Sequence, residues 1–237
     1  MSSRLGVTRR VVVVTGLAAE ARIAAGPGVC AIAGGGSASA LSAALERELE
    51  RGASAILSFG IAGGLAEDLV CGAWIVASAI VTPTQRWPCD RAWAAALAER
   101  LTGARTADLA GVDAPVIAAA AKRALQRTTG AAAVDTESHL AAAIAAARGV
   151  PFAAFRVIAD CVGVGLPPAA SVALSPGGGI RGGAVLGSLA RSPRQLPSLL
   201  RTAIDARTAL RALSRGRRLL GPGLGCPDFD ELLLDVS

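Results

Sequence analysis

The chain has 237 residues, is 52% hydrophobic, and carries a formal net charge of +6 from 24 basic and 18 acidic residues. That length fits one domain, or one domain with an appendage, with ample apolar material for a core. No apolar run reaches the roughly 18 uncharged residues of a spanning helix, and five cysteines without a C-x-x-C pair argue against a disulfide framework or a zinc site.

Val11-Val12-Val13-Val14 is an unbroken β-branched run, the mark of a strand buried on both faces. Arg4, Arg9 and Arg10 precede it, but Glu20 and Arg22 follow too soon for a signal peptide, so a cytoplasmic protein is expected. Gly16 alone does not make the G-x-G-x-x-G of a dinucleotide site. Glu20 reads two ways: as a functional acid close after a buried strand, or as a first-turn helix glutamate favoured by the dipole. Val29 to Ala33 is a second strand. Gly34-Gly35-Gly36-Ser37 then feeds a helix to Arg51, with Leu41, Leu45 and Leu49 on one face. Such a turn presents backbone N–H groups to an anion, or simply packs strand closely on helix.

Ala55 to Phe59 is a third strand leading into Gly60-Ile61-Ala62-Gly63-Gly64-Leu65, where the glycines suit close backbone approach to a ligand. This βαβ rhythm predicts a largely parallel sheet. Gly72 to Val81 is another strand, Pro83 to Trp93 is irregular, and Val116 to Arg127 is helical, ending near Gly130. Lys122, on that helix, is the only lysine; nearly all cations are arginine. His139 is the only histidine, so His-ligated metal or Ser-His-Asp chemistry would rest on one residue, and a structural role is the better reading; no metal site is expected.

Val134 to Asp160 organises the rest. A turn with two acids, Asp135 and Glu137, leads into an Ala-rich helix from about Ser138 to Arg148, stopped by Gly149. Phe152 to Ile158 is a buried strand broken only by Arg156, and Asp160 lies just past its carboxyl end, where open α/β sheets place ligands. Glu137 and Asp160 are therefore expected to face one cleft, the geometry acid–base work requires. From Gly163 onward the composition changes. Pro167-Pro168 and Pro176-Gly177-Gly178-Gly179 are loop signals. Nine arginines lie between Arg181 and Arg218 against one acid, Asp205. Between Pro197 and Arg218 they share an amphipathic helical pattern, either docked on the core or lying on an anionic membrane; nucleic acid is not an expected partner.

Gly60-Ile61-Ala62-Gly63-Gly64-Leu65, Cys71-Gly72-Ala73-Trp74-Ile75-Val76, Val134-Asp135-Thr136-Glu137 and Arg156-Val157-Ile158-Ala159-Asp160, in that order, resemble the nucleoside phosphorylase and nucleosidase superfamily. Val134 to His139, Gln85 to Asp90 and Gly216 to Gly223 look most like its hopanoid-associated phosphorylases, which are implicated in removing adenine from adenosylhopane to give ribosylhopane. The resemblance implies a three-layer αβα fold with a mixed, largely parallel central sheet and a C-terminal helical tail, usually oligomeric. It implies a catalytic domain over 1–190 and an Arg-rich helical extension over 191–237.

By motif position Asp160 would protonate purine N7, Glu137 would hold the ribose hydroxyls, and Glu20 would position the attacking water. Ala62, Gly63, Thr136 and Arg156 would line the substrate. No cofactor is expected, with inorganic phosphate as an optional co-substrate. Partners implied are a lipid-linked adenine nucleoside, further copies of the chain, and a membrane touched through the basic tail. Two departures stand out: Thr136 replaces a methionine that packs on the sugar, and Ala159 replaces a serine that bonds the acid. Ser58 stands where many phosphorylases carry a phosphate-binding arginine, so water is favoured as nucleophile. The alternatives are a nucleosidase for small adenosyl thioethers such as 5′-methylthioadenosine or S-adenosylhomocysteine, and a non-catalytic nucleoside- or lipid-binding protein.

Overall fold

The computed structural model describes residues 10–35, 37–162 and 196–227. The loop signals near Pro167 and Pro176, Arg181, Arg191, Arg194 and the expected boundary at 190 lie outside them. The elements run β1 (Arg10–Thr15), α1 (Ala18–Ala24), β2 (Val29–Ala33), α2 (Ala38–Glu50), β3 (Ala53–Gly64), β4 (Trp74–Val81), β5 (Arg86–Pro88), α3 (Arg91–Arg100), β6 (Arg105–Gly111), α4 (Ala119–Thr129), β7 (Ala133–Asp135), α5 (Ser138–Arg148), β8 (Phe152–Asp160) and α6 (Leu196–Leu220).

The valine run explains the layering. Val12 and Val14 enter one apolar cluster with Leu41 and Leu45 of α2, while Val11 and Val13 enter another with Trp93, Leu97 and Leu213. A strand that buries successive side chains on opposite faces needs helices on both sides. The chain thus adopts the expected three-layer α/β fold with a mixed, largely parallel sheet and a C-terminal helix. The order is β2-β1-β3-β7-β6-β4-β5, and β8 pairs with both β3 and β4. β3, β7, β6, β4 and β8 therefore close into a ring.

Several boundaries differ from the sequence prediction. The third strand does not end at Phe59: β3 continues through Gly64, paired to β8 on one side and to β7 at Gly63 and Gly64. Pro83 to Trp93 is not irregular but forms β5, antiparallel to β4, and opens α3, whose first turn is capped by Asp90 accepting from Trp93 N at 2.8 Å. β6 was not anticipated at all. Asp160 ends β8 and is part of it.

The Arg-rich helix α6 packs its second half into the core. Ala209, Leu213 and Leu220 are buried there. Trp74 Nε1 donates to Ala212 O at 3.1 Å, Trp93 Nε1 to Leu224 O at 3.0 Å, and Arg217 Nε to Ala24 O at 3.0 Å. Arg215 stacks over Trp74, 4.6 Å from the ring centre. In the first half Leu200 and Ile204 are exposed. No helix among the described residues is long and apolar enough to cross a membrane.

Candidate active site

The site forms where β1, β3, β7 and β8 end. Glu20 lies in the first turn of α1. One oxygen accepts from Leu17 N at 2.7 Å, capping its own helix; the other accepts from Ile61 N of β3 at 2.7 Å. The side chain is fully buried, and desolvation pushes its pKa up to about 7 against the opposing pull of Arg156 and the two backbone donors. Ionised at neutral pH in part and held rigidly, it is suited to accept a proton.

Arg156 is the hub. It projects from the middle of β8, 1% exposed, into a cluster of acids and hydroxyls. Nη2 donates to Ser58 Oγ at 2.6 Å and to Ser138 Oγ at 3.3 Å; Nη1 donates to Ile61 O at 3.4 Å. Nε lies 2.7 Å from Asp135 Oδ2, a contact of charge without an aligned hydrogen bond. Nη2 lies 3.6 Å from Glu137 Oε2. Asp135 also accepts from Ser138 N at 3.0 Å and from Ser138 Oγ. That local turn is what fixes Glu137 at the head of α5. Thr136 Oγ1 donates to Glu137 Oε1, so the threonine ties down the acid where the resembling proteins place a methionine on the sugar. Burial raises the Glu137 pKa, and Arg156 is the largest influence against that rise.

Asp160 stands apart from this network. β8 carries a bulge where Ile158 pairs with Ala62 and Asp160 with Gly63, leaving Ala159 as the extra residue. Bulges re-aim side chains beside functional sites. The cation near Asp160 is Lys122 of α4, not Arg156. Lys122 is fully buried, ion-pairs through Nζ with Asp160 Oδ2, and donates to Cys161 O at 3.4 Å. Desolvation raises the Asp160 pKa and outweighs Lys122, as expected for a closed acid site.

Three glycines make room for the three carboxyls. A Cβ at Gly60 would sit 2.7 Å from Glu20 Oε1 and from Arg156 Nη1. One at Gly16 would sit 3.0 Å from Glu137 Oε1, and one at Gly63 3.2 Å from Asp160 Oδ1. From Gly60 to Gly63 the strand advances about 10 Å, so Glu20 and Asp160 flank a length of backbone close to that of a nucleoside. A cavity of about 50 Å³ opens on the Glu137 side, lined by Gly34, Ser37, Thr136, Glu137 and Leu140 among others; Asp160 does not line it, so the one cleft expected to hold both acids is not formed by the described residues: Glu137 lies against Gly16, whereas Asp160 is drawn to Lys122 beside Gly63.

The structure therefore groups Glu20, Glu137, Thr136 and Arg156. It sets Asp160 beside Ala62 and Gly63 on the adjoining strands. Sequence reasoning missed Ser58, Asp135 and Ser138 as partners of Arg156, and Lys122 as partner of Asp160. Of these only Asp135 had a signal, as the second acid of its turn. Two other arginines near the sheet have their own partners: Arg86 pairs with Asp108, and Arg22 donates to Ala18 O at 3.3 Å.

Residues 3–173 match the phosphorylase superfamily. The chain belongs to that superfamily, and the expectation of an enzyme of this kind holds. No curated protein sequence matches it. Among solved structures it is similar in fold to an S-adenosylhomocysteine nucleosidase from Streptococcus pyogenes, 14% identical, covering 92% of this chain and 99% of that one with a TM-score of 0.61. A 5′-methylthioadenosine/S-adenosylhomocysteine nucleosidase from S. pneumoniae is 13% identical over 89% of this chain and 99% of its own, TM-score 0.59. A futalosine hydrolase from Helicobacter pylori is 17% identical over 65% of this chain and 88% of its own, TM-score 0.54.

Proposed function

We propose that this protein hydrolyses the N-glycosidic bond of an adenine nucleoside. The observation that carries the reading is the set of three buried or half-buried carboxyls, Glu20, Glu137 and Asp160, each against a glycine of β3 or of the segment after β1. Breaking the bond requires a proton on the leaving base, negative charge near the cationic sugar, and a base for the nucleophile. Asp160, whose uptake of a proton burial favours, donates that proton to purine N7 as the electron pair of the C–N bond passes to adenine. Glu137 faces the ribose and offsets the oxocarbenium charge. Glu20 takes a proton from water, whose oxygen bonds to the sugar carbon.

Water is favoured over phosphate by the accounting of cations. Arg156 is engaged by Asp135, Glu137 and two serines, and Lys122 by Asp160. The backbone donors Leu17 N and Ile61 N are taken by Glu20. A phosphate here would meet carboxylates. The segment likeness to hopanoid-associated phosphorylases supports an adenosyl-lipid such as adenosylhopane; the fold likeness to nucleosidases supports small adenosyl thioethers equally.

Chromatographic assay of adenine release from adenosylhopane, 5′-methylthioadenosine and S-adenosylhomocysteine, with and without phosphate, tests the reading. Adenine is expected without phosphate, and Asp160→Asn is expected to lose about 10²–10⁴-fold in turnover. Nucleoside binding without adenine release from any of the three overturns it in favour of a binding protein. Strict dependence on phosphate overturns the choice of nucleophile.

A further inference from the structure

We infer that Lys122 is the positioning residue of the general acid: it holds Asp160 where the resembling proteins use a serine, and offsets the charge left on Asp160 after proton donation. The inference rests on the function proposed above.

α4 is otherwise a solvent-facing helix. Lys122 is its one buried residue, next to exposed Arg123 and Arg127, and it is the only lysine in the chain. A fully buried ammonium is costly unless it is paired. Its partners are both at the end of β8, the Asp160 carboxylate and the Cys161 carbonyl. Nothing at position 159 reaches Asp160, because that residue is alanine on the bulge. The ion pair therefore supplies the orientation that a neighbouring hydroxyl would give.

The pair also has the right charge change. Before turnover Asp160 takes a proton from solvent, to which its side chain is 15% exposed. In the reaction that O–H bond breaks as N7–H forms on adenine, and a carboxylate remains beside the ammonium. The attraction between them exists in full only once the proton has left. It favours the transition state over the ground state, which is what accelerates a step. Burial meanwhile makes uptake of that proton easier than for an exposed carboxyl, against the pull of Lys122. The two opposing influences on this carboxyl are thus complementary parts of one device.

The test is a double-mutant cycle on adenine release. Lys122→Met is expected to lower kcat about 10–100-fold with KM changed less than about 3-fold, and Lys122→Arg, which keeps the charge, to recover most of it. In an Asp160→Asn background, Lys122→Met is expected to change kcat less than about 3-fold. A loss of the same size in both backgrounds shows a merely structural lysine and overturns the inference, as does a Lys122→Met enzyme equal to wild type. Wild-type protein that releases no adenine overturns the proposed function instead. A 13Cε-lysine label gives one signal in the unaltered chain. That signal is expected to move in Asp160→Asn and on binding an adenine nucleoside; a signal unmoved by both overturns the pairing even where the Lys122 variants do not fold.

Discussion

The two ends of the site hold their carboxyls in opposite ways. At the Arg156 end one guanidinium is shared by Asp135 and Glu137, acts on Glu20, and is fully enclosed. At the Lys122 end one ammonium meets one carboxylate that still touches solvent. The first arrangement fixes several groups at once through the planar fork of arginine. The second leaves its acid free to gain and lose a proton. A site that must keep a sugar still and hand a proton to a base uses both.

Arg156→Met gives the largest break in this comparison. It leaves two or three enclosed acids without their cation and is expected to cost about 3–5 kcal/mol in urea unfolding at pH 7. Lys122→Met is expected to cost only about 1–3 kcal/mol, because Asp160 takes a proton in place of holding an unpaired charge. A Lys122→Met loss equal to or above that of Arg156→Met removes the asymmetry claimed here.

Glu20→Gln comes next and separates activity from stability. As the base, Glu20 acts when ionised, so kcat/KM of the wild type is expected to rise with pH through about 7. The variant is expected to lose about 10²–10⁴-fold in turnover. Its stability moves the other way. A carboxyl whose pKa is raised from 4.5 to about 7 on folding lends stability at low pH that is lost as pH climbs through that window. The variant escapes that loss but sets its amide NH2 against one of the two backbone donors, so it is expected to be about 1–3 kcal/mol less stable than wild type at pH 4 and to recover up to about 3 kcal/mol of that difference above pH 7. A stability difference between the two proteins that stays the same from pH 4 to pH 8 contradicts an enclosed Glu20.

These contrasts also show what the sequence can disclose. β1 was legible because four valines in a row suit only a strand buried on both faces. Glu20 was legible as an acid after that strand, though its second oxygen's bond to Ile61 is a product of the fold. β6 was not legible: Arg105–Gly111 has one β-branched residue, Thr106, and no alternation, and the strand exists because β4 and β7 pair with it on either side. β3 reads as ending at Phe59 for the same reason in reverse, since glycine weakens a strand locally and only pairing to β7 and β8 keeps the chain extended through Gly64. Lys122 was legible only as the single lysine of the chain; its burial was not, because its helix carries arginines on neighbouring positions and only tertiary packing singles out one cation for burial.

The smallest expected effects come from the glycines, and they sharpen the comparison most finely. A methyl at Gly60 would lie 2.7 Å from both Glu20 Oε1 and Arg156 Nη1, two groups locked by other bonds. Gly60→Ala is therefore expected to cost about 1–3 kcal/mol and to lower adenine release with it. A methyl at Gly63 would lie 3.2 Å from Asp160 Oδ1 and 3.6 Å from Lys122 Nζ. That carboxyl has solvent on one side and a single flexible partner, so it can yield by the few tenths of an ångström required. Gly63→Ala is expected to cost less than about 1 kcal/mol while raising KM, because the added methyl occupies the surface on which the purine would rest. Thermal melts and Michaelis constants of the two variants give the answer together. If Gly63→Ala is the more destabilising of the pair, the Asp160 end is the rigid one, and the division of labour between the two cations is reversed.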